Sequence, residues 1–238
     1  MRIETFLSMK NQYFGDINDY LKYGLLRCLA DAGLRMGVCW MMTPDDARSD
    51  GRKISYLSKP EQWRGFDPSL FDSLAVAIRK DSRRIQHFQK SELLPNASFC
   101  NAFVPDDQPS RKSWLTTSLR KLGDVDILFF DPDNGIEIKS VPGGRKGSSK
   151  YLYWDEIRLA WSRGFSLLIF QHFARENRDI HVSRLTSQLQ EYASGAIVVP
   201  LITSNVVYLL VHQRRHAAEV ATALEMMDER WIGQLRRG

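Results

Sequence analysis

The chain has 238 residues, of which 43% are hydrophobic and 26% are charged, and its 33 Lys and Arg against 28 Asp and Glu give a net charge of +5. This mixture is typical of a globular protein and excludes a disordered, fibrous or collagen-like chain. No apolar run approaches the roughly 20 residues of a membrane-spanning helix, and no N-terminal segment resembles a signal peptide. The three cysteines form no Cys-x-x-Cys pair. We therefore expect a cytoplasmic protein with reduced thiols.

The spacing of apolar residues divides most of the chain into helices and strands. Leu21, Leu25 and Leu29, for example, recur on one helical face, whereas the apolar run after Gly37 is typical of a buried strand. In chain order the pattern predicts helix 16–32, strand 37–42, helix 68–87, strand 98–104, helix 114–122, strand 125–130, helix 153–163, strand 165–170, helix 178–193, strands 195–202 and 206–211, and helix 217–235.

The order of these elements predicts the fold class. Alternating helices and nearly continuous apolar strands indicate a parallel sheet covered on both faces. Only three residues separate the last two strands, too few for a helical crossover, so these strands form an antiparallel hairpin. The sequence therefore predicts an α/β fold with a doubly wound, mostly parallel sheet and a C-terminal antiparallel hairpin. We expect a single domain over 1–238, with an insertion at about 50–110.

The clearest candidate for chemistry follows the strand at 125–130, in the sequence Asp131-Pro-Asp-Asn-Gly. Open α/β sheets bind ligands at the carboxyl ends of their strands, where Asp131 lies. Two acidic side chains so close together repel, so a ligand rich in donors, a metal or a nearby lysine should compensate. A structural turn that uses Asp131 and Asn134 for its own hydrogen bonds is the alternative.

The Asp131-Pro132 pair resembles the Asp-Pro-Pro-Tyr motif of amino-methyltransferases, and the predicted layout is similar to that of class I (Rossmann-like) S-adenosylmethionine-dependent methyltransferases. This resemblance implies that the Asp131 side chain and the Pro132 carbonyl accept hydrogen bonds from the amine to be methylated. Asp133 and Asn134 replace the proline and the aromatic residue of that motif. The resemblance places these two residues against the substrate.

The segment from Gly15 to Tyr23 resembles a second motif, in the bacterial large-subunit ribosomal RNA adenine-N6 methyltransferases. In that family a Gly-polar-apolar-x-Asp-x-Leu-Lys-His run begins the helix that borders the cofactor, and this chain carries Asp19 and Lys22 at the matching positions, with Tyr23 where the family has His. The resemblance implies that these three residues border S-adenosylmethionine. Where such enzymes have a Gly-rich turn, this chain has Trp40 to Asp46, and Asp45 is a candidate acceptor for the cofactor.

Further candidates lie on the same predicted edge of the sheet. His172 ends the strand next to Asp131 and is a candidate base or hydrogen-bond donor. The glycine-rich loop 143–150 carries Arg145, Lys146 and Lys150, and we expect it to be a flexible lid that binds phosphate. Its order of residues is not that of a nucleotide-binding P-loop.

These observations favour an S-adenosylmethionine-dependent methyltransferase, or a diverged relative, acting on an amine in RNA or DNA. A magnesium-dependent phosphoesterase or nuclease that uses Asp131, Asp133 and Glu137 remains the alternative from another enzyme class. A non-catalytic nucleic-acid-binding relative is the third. No Cys or His pair has the spacing of a metal site.

Overall fold

The computed structural model describes residues 14–44, 53–80 and 83–238. The helices of this part of the chain are α1 Ile17–Asp31, α2 Pro60–Trp63, α3 Pro68–Arg79, α4 Ile85–Gln89, α5 Gln108–Leu122, α6 Trp154–Ser162, α7 Arg178–Tyr192 and α8 Ala217–Arg230. The strands are β1 Met36–Cys39, β2 Ser98–Cys100, β3 Ile127–Phe130, β4 Gly135–Ile136, β5 Tyr151–Leu152, β6 Ser166–His172, β7 Ile197–Ile202, β8 Val206–His212 and β9 Arg236–Arg237.

Seven of these strands form one mixed sheet in the order β2-β1-β3-β6-β8-β7-β9. The four strands β2, β1, β3 and β6 are parallel to one another, whereas β8 runs antiparallel to both β6 and β7. The prediction of an α/β fold whose sheet is mostly parallel in its core is confirmed, as is the antiparallel pairing of the last two apolar strands. Strand β8 lies between β6 and β7, so the hairpin joins the sheet through its second strand.

Two hydrophobic cores lie on opposite faces of the sheet. Helices α1, α3, α4 and α8 cover one face with side chains such as Leu25 and Met227. Helices α5, α6 and α7 cover the other face with side chains such as Leu119 and Leu189. Burial on both faces explains why the central strands are almost wholly apolar. The described residues contain no helix long and apolar enough to span a membrane.

Several element boundaries differ from those predicted. Strand β1 ends at Cys39 rather than at residue 42, because Met41 adopts a left-handed backbone conformation (φ 47°) that no strand accommodates. Helix α5 begins at Gln108, since the Asp107 side chain caps it by accepting from the backbone N–H of Ser110. Helix α8 ends at Arg230, and the chain then turns to add the edge strand β9.

The region of the predicted insertion has two parts. Residues 53–80 and 83–97 contain α2, α3 and α4, which belong to the crossover from β1 to β2, with α3 packed against α1. Residues 98–110 contribute strand β2 and the start of α5 to the main body of the fold. Helix 68–87 of the sequence prediction is split, with α3 ending at Arg79 and α4 beginning at Ile85.

Candidate functional site

The strand order places Asp131 at a point where the direction of winding reverses. The chain leaves β1 for β2 on one side and later returns to place β3 on the other side of β1. Ligands of open α/β sheets bind outside the carboxyl ends of the two strands at such a point. Asp131 directly follows β3, and its backbone N–H donates to the carbonyl of Cys39, the last residue of β1, at 3.1 Å.

The Asp131 side chain pairs with a buried lysine from α1. Nζ of Lys22 lies 2.7 Å from Oδ2 of Asp131 and 2.9 Å from Oδ1 of Asp19. Only 9% of the Lys22 side chain is exposed, against 16% of the Asp131 side chain. The rings of Trp40, Phe129 and Phe170 surround the ammonium at 5.2–6.0 Å. Of the three compensating groups considered from the sequence, a ligand, a metal or a nearby lysine, the structure has a lysine, Lys22, 109 positions away along the chain.

Both carboxylate oxygens of Asp19 accept hydrogen bonds from residues at the N-terminal end of α1 or just before it. Its Oδ2 atom accepts from the hydroxyl of Tyr23 and from the backbone N–H of Gly15, each at 3.0 Å. The Tyr23 ring is fully buried and stacks on Phe88 with 4.0 Å between ring centroids. The three residues that the second motif resemblance singled out thus form one hydrogen-bonded group, whose contact with Asp131 is made by Lys22.

A third carboxylate belongs to the same group. Asp16 caps α1 by accepting from the backbone N–H of Asp19 at 3.0 Å, and it is buried. Burial, together with repulsion from Asp19, raises the pKa of Asp16 to about 7. Asp19 and Asp131 contact the ammonium of Lys22, whereas Asp16 feels it only at longer range. The group carries an excess of negative charge whenever all three carboxylates are ionised.

Burial also changes the acidity of the two groups that form the central ion pair. It raises the pKa of Asp131 to about 6, although Lys22 opposes this shift by favouring the carboxylate. Burial alone would lower the pKa of Lys22, but attraction to Asp131 and Asp19 outweighs it and raises that pKa above its ordinary value. Lys22 is therefore a permanent cation, and Asp131 is mostly ionised at neutral pH.

The turn after β3 is held rigidly by β6. Gly135 has a φ of 90°, and a Cβ atom there would lie 2.3 Å from Oε1 of Gln171, so only glycine fits this approach. The same Oε1 atom accepts from the backbone N–H of Ile136 at 2.7 Å. The Pro132 carbonyl accepts from Gly135 N–H at 3.3 Å, which leaves its second lone pair for another donor. Asn134 is exposed.

Asp133 and His172 lie beside this turn. The Thr43 hydroxyl, from the segment after β1, donates to Oδ2 of Asp133 at 2.6 Å, which ties the ends of β1 and β3 together. His172 ends β6 and is exposed to solvent, while its imidazole hydrogen-bonds the Asp133 backbone. Partial desolvation and the Lys22 cation lower the pKa of His172, although the contact with Asp133 opposes them. Neutral imidazole is thus its principal form at pH 7.

The basic loop 143–150 is anchored at its C-terminal half. The Asp106 carboxylate accepts from the backbone N–H groups of Gly147 and Ser149 at 2.9 and 2.7 Å. The loop reaches the candidate site through a hydrogen bond of 2.8 Å from the backbone N–H of Asn134 to the carbonyl of Lys150. Arg145 and Lys146 lie at the exposed end of the loop, and Lys150 is half-buried. The loop therefore joins the Asp131 turn at its anchored end and carries two exposed cations farther along.

Glu137 serves a different local structure. Its Oε2 atom accepts from the backbone N–H of Trp154, the first residue of α6, at 2.9 Å. Within the described residues, no group of three or more His, Cys, Asp or Glu side chains is arranged to hold a metal ion. Asp131 and Asp133 are each engaged with a separate partner, Lys22 and Thr43 respectively.

The segment after β1 contains features that sequence reasoning missed. Met41 is one of two non-glycine residues with positive φ among the residues described, in the place where a Gly-rich turn was expected. This conformation costs a residue with a Cβ atom roughly 1–2 kcal/mol. Next to it, Trp40 is 3% exposed, and none of the described residues accepts a hydrogen bond from its indole N–H. Strain and an unsatisfied donor beside a strand end make this segment a candidate part of the site. Asp45 lies outside the described residues.

Comparisons with known proteins give little beyond this geometry. No family model matches the chain, and no curated protein does. Among solved structures, the crystal structure of protein LPL1258 from Legionella pneumophila str. Philadelphia 1, described by the family model DUF519, is similar with a TM-score of 0.43 and 13% sequence identity. The alignment covers 94% of this chain and 96% of that one. The function is therefore inferred from the residues and the geometry of the site.

Proposed function

We propose that this protein is an S-adenosylmethionine-dependent methyltransferase of the class I type that methylates an amino group in RNA or DNA. One observation carries the proposal: a partly exposed carboxylate, Asp131, stands where the winding of the sheet reverses and is fixed there by buried Lys22. The antiparallel strand β8 between β6 and β7, and the motif resemblances around Asp19 and Asp131, support it.

Asp131 acts in this proposal by orienting the acceptor amine. Lys22 takes one carboxylate oxygen, and the described residues donate no hydrogen bond to the other. That second oxygen and the remaining lone pair of the Pro132 carbonyl would accept the two N–H groups of an amine. Two acceptors from one rigid turn fix the direction of the nitrogen lone pair, so that positioning supplies most of the rate acceleration.

The charged groups near Lys22 and the end of β1 suit a cationic cofactor. Three carboxylates lie close to a single ammonium, which contacts two of them, and the Trp40 N–H, which no described residue accepts, lies at the strained turn after β1. When bound, S-adenosylmethionine supplies a methyl group on a positively charged sulfur. Asp19 would attract its positive charge, while Lys22 and Tyr23 hold Asp19 in place. Asp45 remains a candidate acceptor for the cofactor.

His172 and the basic loop would serve the other half of the reaction. A methylated amine must lose a proton, and the neutral His172 imidazole at the end of β6 is able to take it. Asp133 and Asn134 would contact the base beside the acceptor amine. Arg145 and Lys146, with Lys150 behind them, would bind phosphates of the nucleic acid.

The magnesium-dependent phosphoesterase is the second candidate, and the close spacing of Asp131 and Asp133 favours it. Such a metal site would need Glu137 as its third ligand, but Glu137 instead accepts a hydrogen bond from the first residue of α6. The non-catalytic alternative rests on the replacement of the proline and the aromatic residue of the amino-methyltransferase motif by Asp133 and Asn134.

Transfer of a labelled methyl group from S-adenosylmethionine to unmodified RNA and DNA tests the proposal. We expect the wild type to label one of the two polymers, and the Asp131→Asn variant to lose about 100-fold or more of that rate. Asp124→Asn is the matched control, because Asp124 is an exposed acid at the opposite edge of the sheet. Label at an unchanged rate in Asp131→Asn would overturn the assigned role of Asp131. No transfer by the wild type would overturn the activity.

A further inference from the structure

Two of the three cysteines face each other on neighbouring parallel strands. Cys39 ends β1, Cys100 ends β2, and the two residues are register partners in the sheet. Both side chains belong to the core on the α5 side of the sheet, so they point to the same face. Neighbouring strands lie about 4.8 Å apart, within the range of Cα separations that a disulfide spans. Cys28 belongs to the core on the other face.

The surroundings of the pair make one sulfur the better nucleophile. Sγ of Cys100 lies 3.2 Å from Oγ of Ser118, and it also interacts with the Cys39 thiol. A hydrogen bond from Cys39 lowers the pKa of Cys100 below its ordinary value, while this bond and burial raise the pKa of Cys39 well above it. The burial of Cys28 raises its pKa to about 11. Cys100 therefore ionises more readily than Cys39, which suits Cys100 to attack and Cys39 to resolve.

Access to this buried pair comes from the position of β2. This strand has only three residues and lies at the edge of the sheet. Short edge strands open locally at far lower cost than central strands, and a hydroperoxide is small enough to enter through such an opening. Cys39, in contrast, lies on β1, which is paired on both sides by β2 and β3.

We propose that Cys39 and Cys100 form a reversible intrachain disulfide when the protein meets a hydroperoxide. The Cys100 thiolate attacks one peroxide oxygen, the O–O bond breaks, and hydroxide leaves and takes up a proton to become water. Cys39 sulfur then attacks the resulting sulfenic acid, and a second water leaves with the Cys39 proton. Two thiols are oxidised to one disulfide while one hydrogen peroxide is reduced to two waters.

Mass spectrometry of the intact chain after hydrogen peroxide treatment and alkylation under denaturing conditions tests this proposal. We expect a mass lower by two hydrogen atoms, one alkylated cysteine, and a tryptic cross-link between peptides 36–48 and 91–111 that dithiothreitol reverses. The proposal would be overturned if all three thiols remained, if oxygen adducts formed without a cross-link, or if the disulfide contained Cys28.

Two variants separate the roles of the cysteines. Cys28→Ser should form the same cross-link as the wild type. Cys39→Ser should instead accumulate a sulfenic acid at Cys100, which dimedone captures with at least about tenfold more label there than in the wild type, where the resolving thiol is present. Equal dimedone labelling of Cys100 in both proteins would contradict the resolving role of Cys39.

Discussion

Lys22 is the residue on which the candidate site depends for its charge balance. It contacts Asp19 and Asp131 at 2.9 and 2.7 Å, and its side chain is 9% exposed. A buried cation in this position gains its stability from those two partners, and the partners gain theirs from the cation. The sequence places Lys22 in the first half of α1 and gives no indication that it reaches the end of β3.

Replacement of Lys22 by methionine should therefore destabilise the protein strongly. The variant keeps the apolar stem among three aromatic rings but leaves Asp19 and Asp131 buried without their cation. We expect the free energy of unfolding to fall by about 3–5 kcal/mol, measured by urea denaturation at pH 7. Lys112→Met on the exposed side of α5 is the control. A loss below about 1 kcal/mol would show that the pair is worth no more than a surface salt bridge.

Asp16 should make stability depend on pH in a direction opposite to that of most carboxylates. Its pKa rises from 3.8 to about 7 on folding. Between these two values the folded state holds a proton that the unfolded state has lost, so this group's contribution to stability falls as the pH rises from 3.8 towards 7. Asp16→Asn keeps a good helix cap, and its stability relative to the wild type should therefore increase over that range.

Urea denaturation of both proteins at a series of pH values measures this difference. Asp107→Asn is the matched control, because Asp107 also caps a helix but is exposed and has a lowered pKa. Its stability relative to the wild type should decrease, not increase, as the pH rises through the carboxyl range. The same pH trend in both variants would contradict the raised pKa of Asp16.

At the scale of elements, α1 packs against α8 and comes especially close to Trp231, the residue that follows α8. A Cβ atom on Gly24 of α1 would lie 1.9 Å from Cζ2 of Trp231, whose ring is fully buried. Trp231 stacks on Phe66 with 5.6 Å between ring centroids and contacts Tyr20 edge-on, so movement of its ring would disturb both contacts. A glycine in the middle of a helix is thus retained for packing, against its poor helix propensity.

Gly24→Ala should consequently destabilise the protein even though alanine favours helix. We expect a loss of about 1–3 kcal/mol from overpacking, which outweighs the gain of up to about 1 kcal/mol in helix propensity. Gly65→Ala is the control, since a Cβ atom there meets no other atom within 4 Å. The measurement is again urea denaturation, and a more stable Gly24→Ala protein would show that α1 and α8 separate easily.

The elements also show what the sequence could and could not predict. The apolar spacing from Leu21 to Leu29 predicted α1, and the structure gives α1 over Ile17–Asp31, because one amphipathic face and one cap determine a helix locally. The apolar run predicted strand β1 as well, but not its end at Cys39. Its end depends on the left-handed Met41, which apolar patterning does not encode.

Long-range pairing accounts for the rest of what sequence reasoning missed. Asp131 was predicted at the carboxyl edge of the sheet from its position after an apolar strand, and the structure has it there. Its partner Lys22, the tie from Thr43 to Asp133, and the anchor from Asp106 to the basic loop all join residues at least 41 positions apart. The local sequence pattern around each of these residues does not indicate such contacts.

At the scale of the whole molecule, the net charge of +5 is compatible with a polyanionic substrate, and three of the basic residues lie in the loop 143–150. The combined replacement of Arg145, Lys146 and Lys150 by glutamine should reduce the slope of log K for RNA or DNA binding against log salt by up to about 3. Replacement of Arg120, Lys121 and Arg163, at the opposite edge of the sheet, removes equal charge and is the control. An equal change of slope in both variants would show that the loop is not part of the binding surface.

The measurement that tests the central claim most directly is calorimetric titration of the wild-type chain with S-adenosylmethionine and, separately, with magnesium. The claim is that Asp131, Lys22 and Asp19 border a pocket for a cationic methyl donor at the reversal point of the sheet. We expect heat from one S-adenosylmethionine site, lost in Asp19→Asn but retained in Asp124→Asn, and no comparable heat from magnesium. Heat from magnesium alone would contradict this account and favour the phosphoesterase.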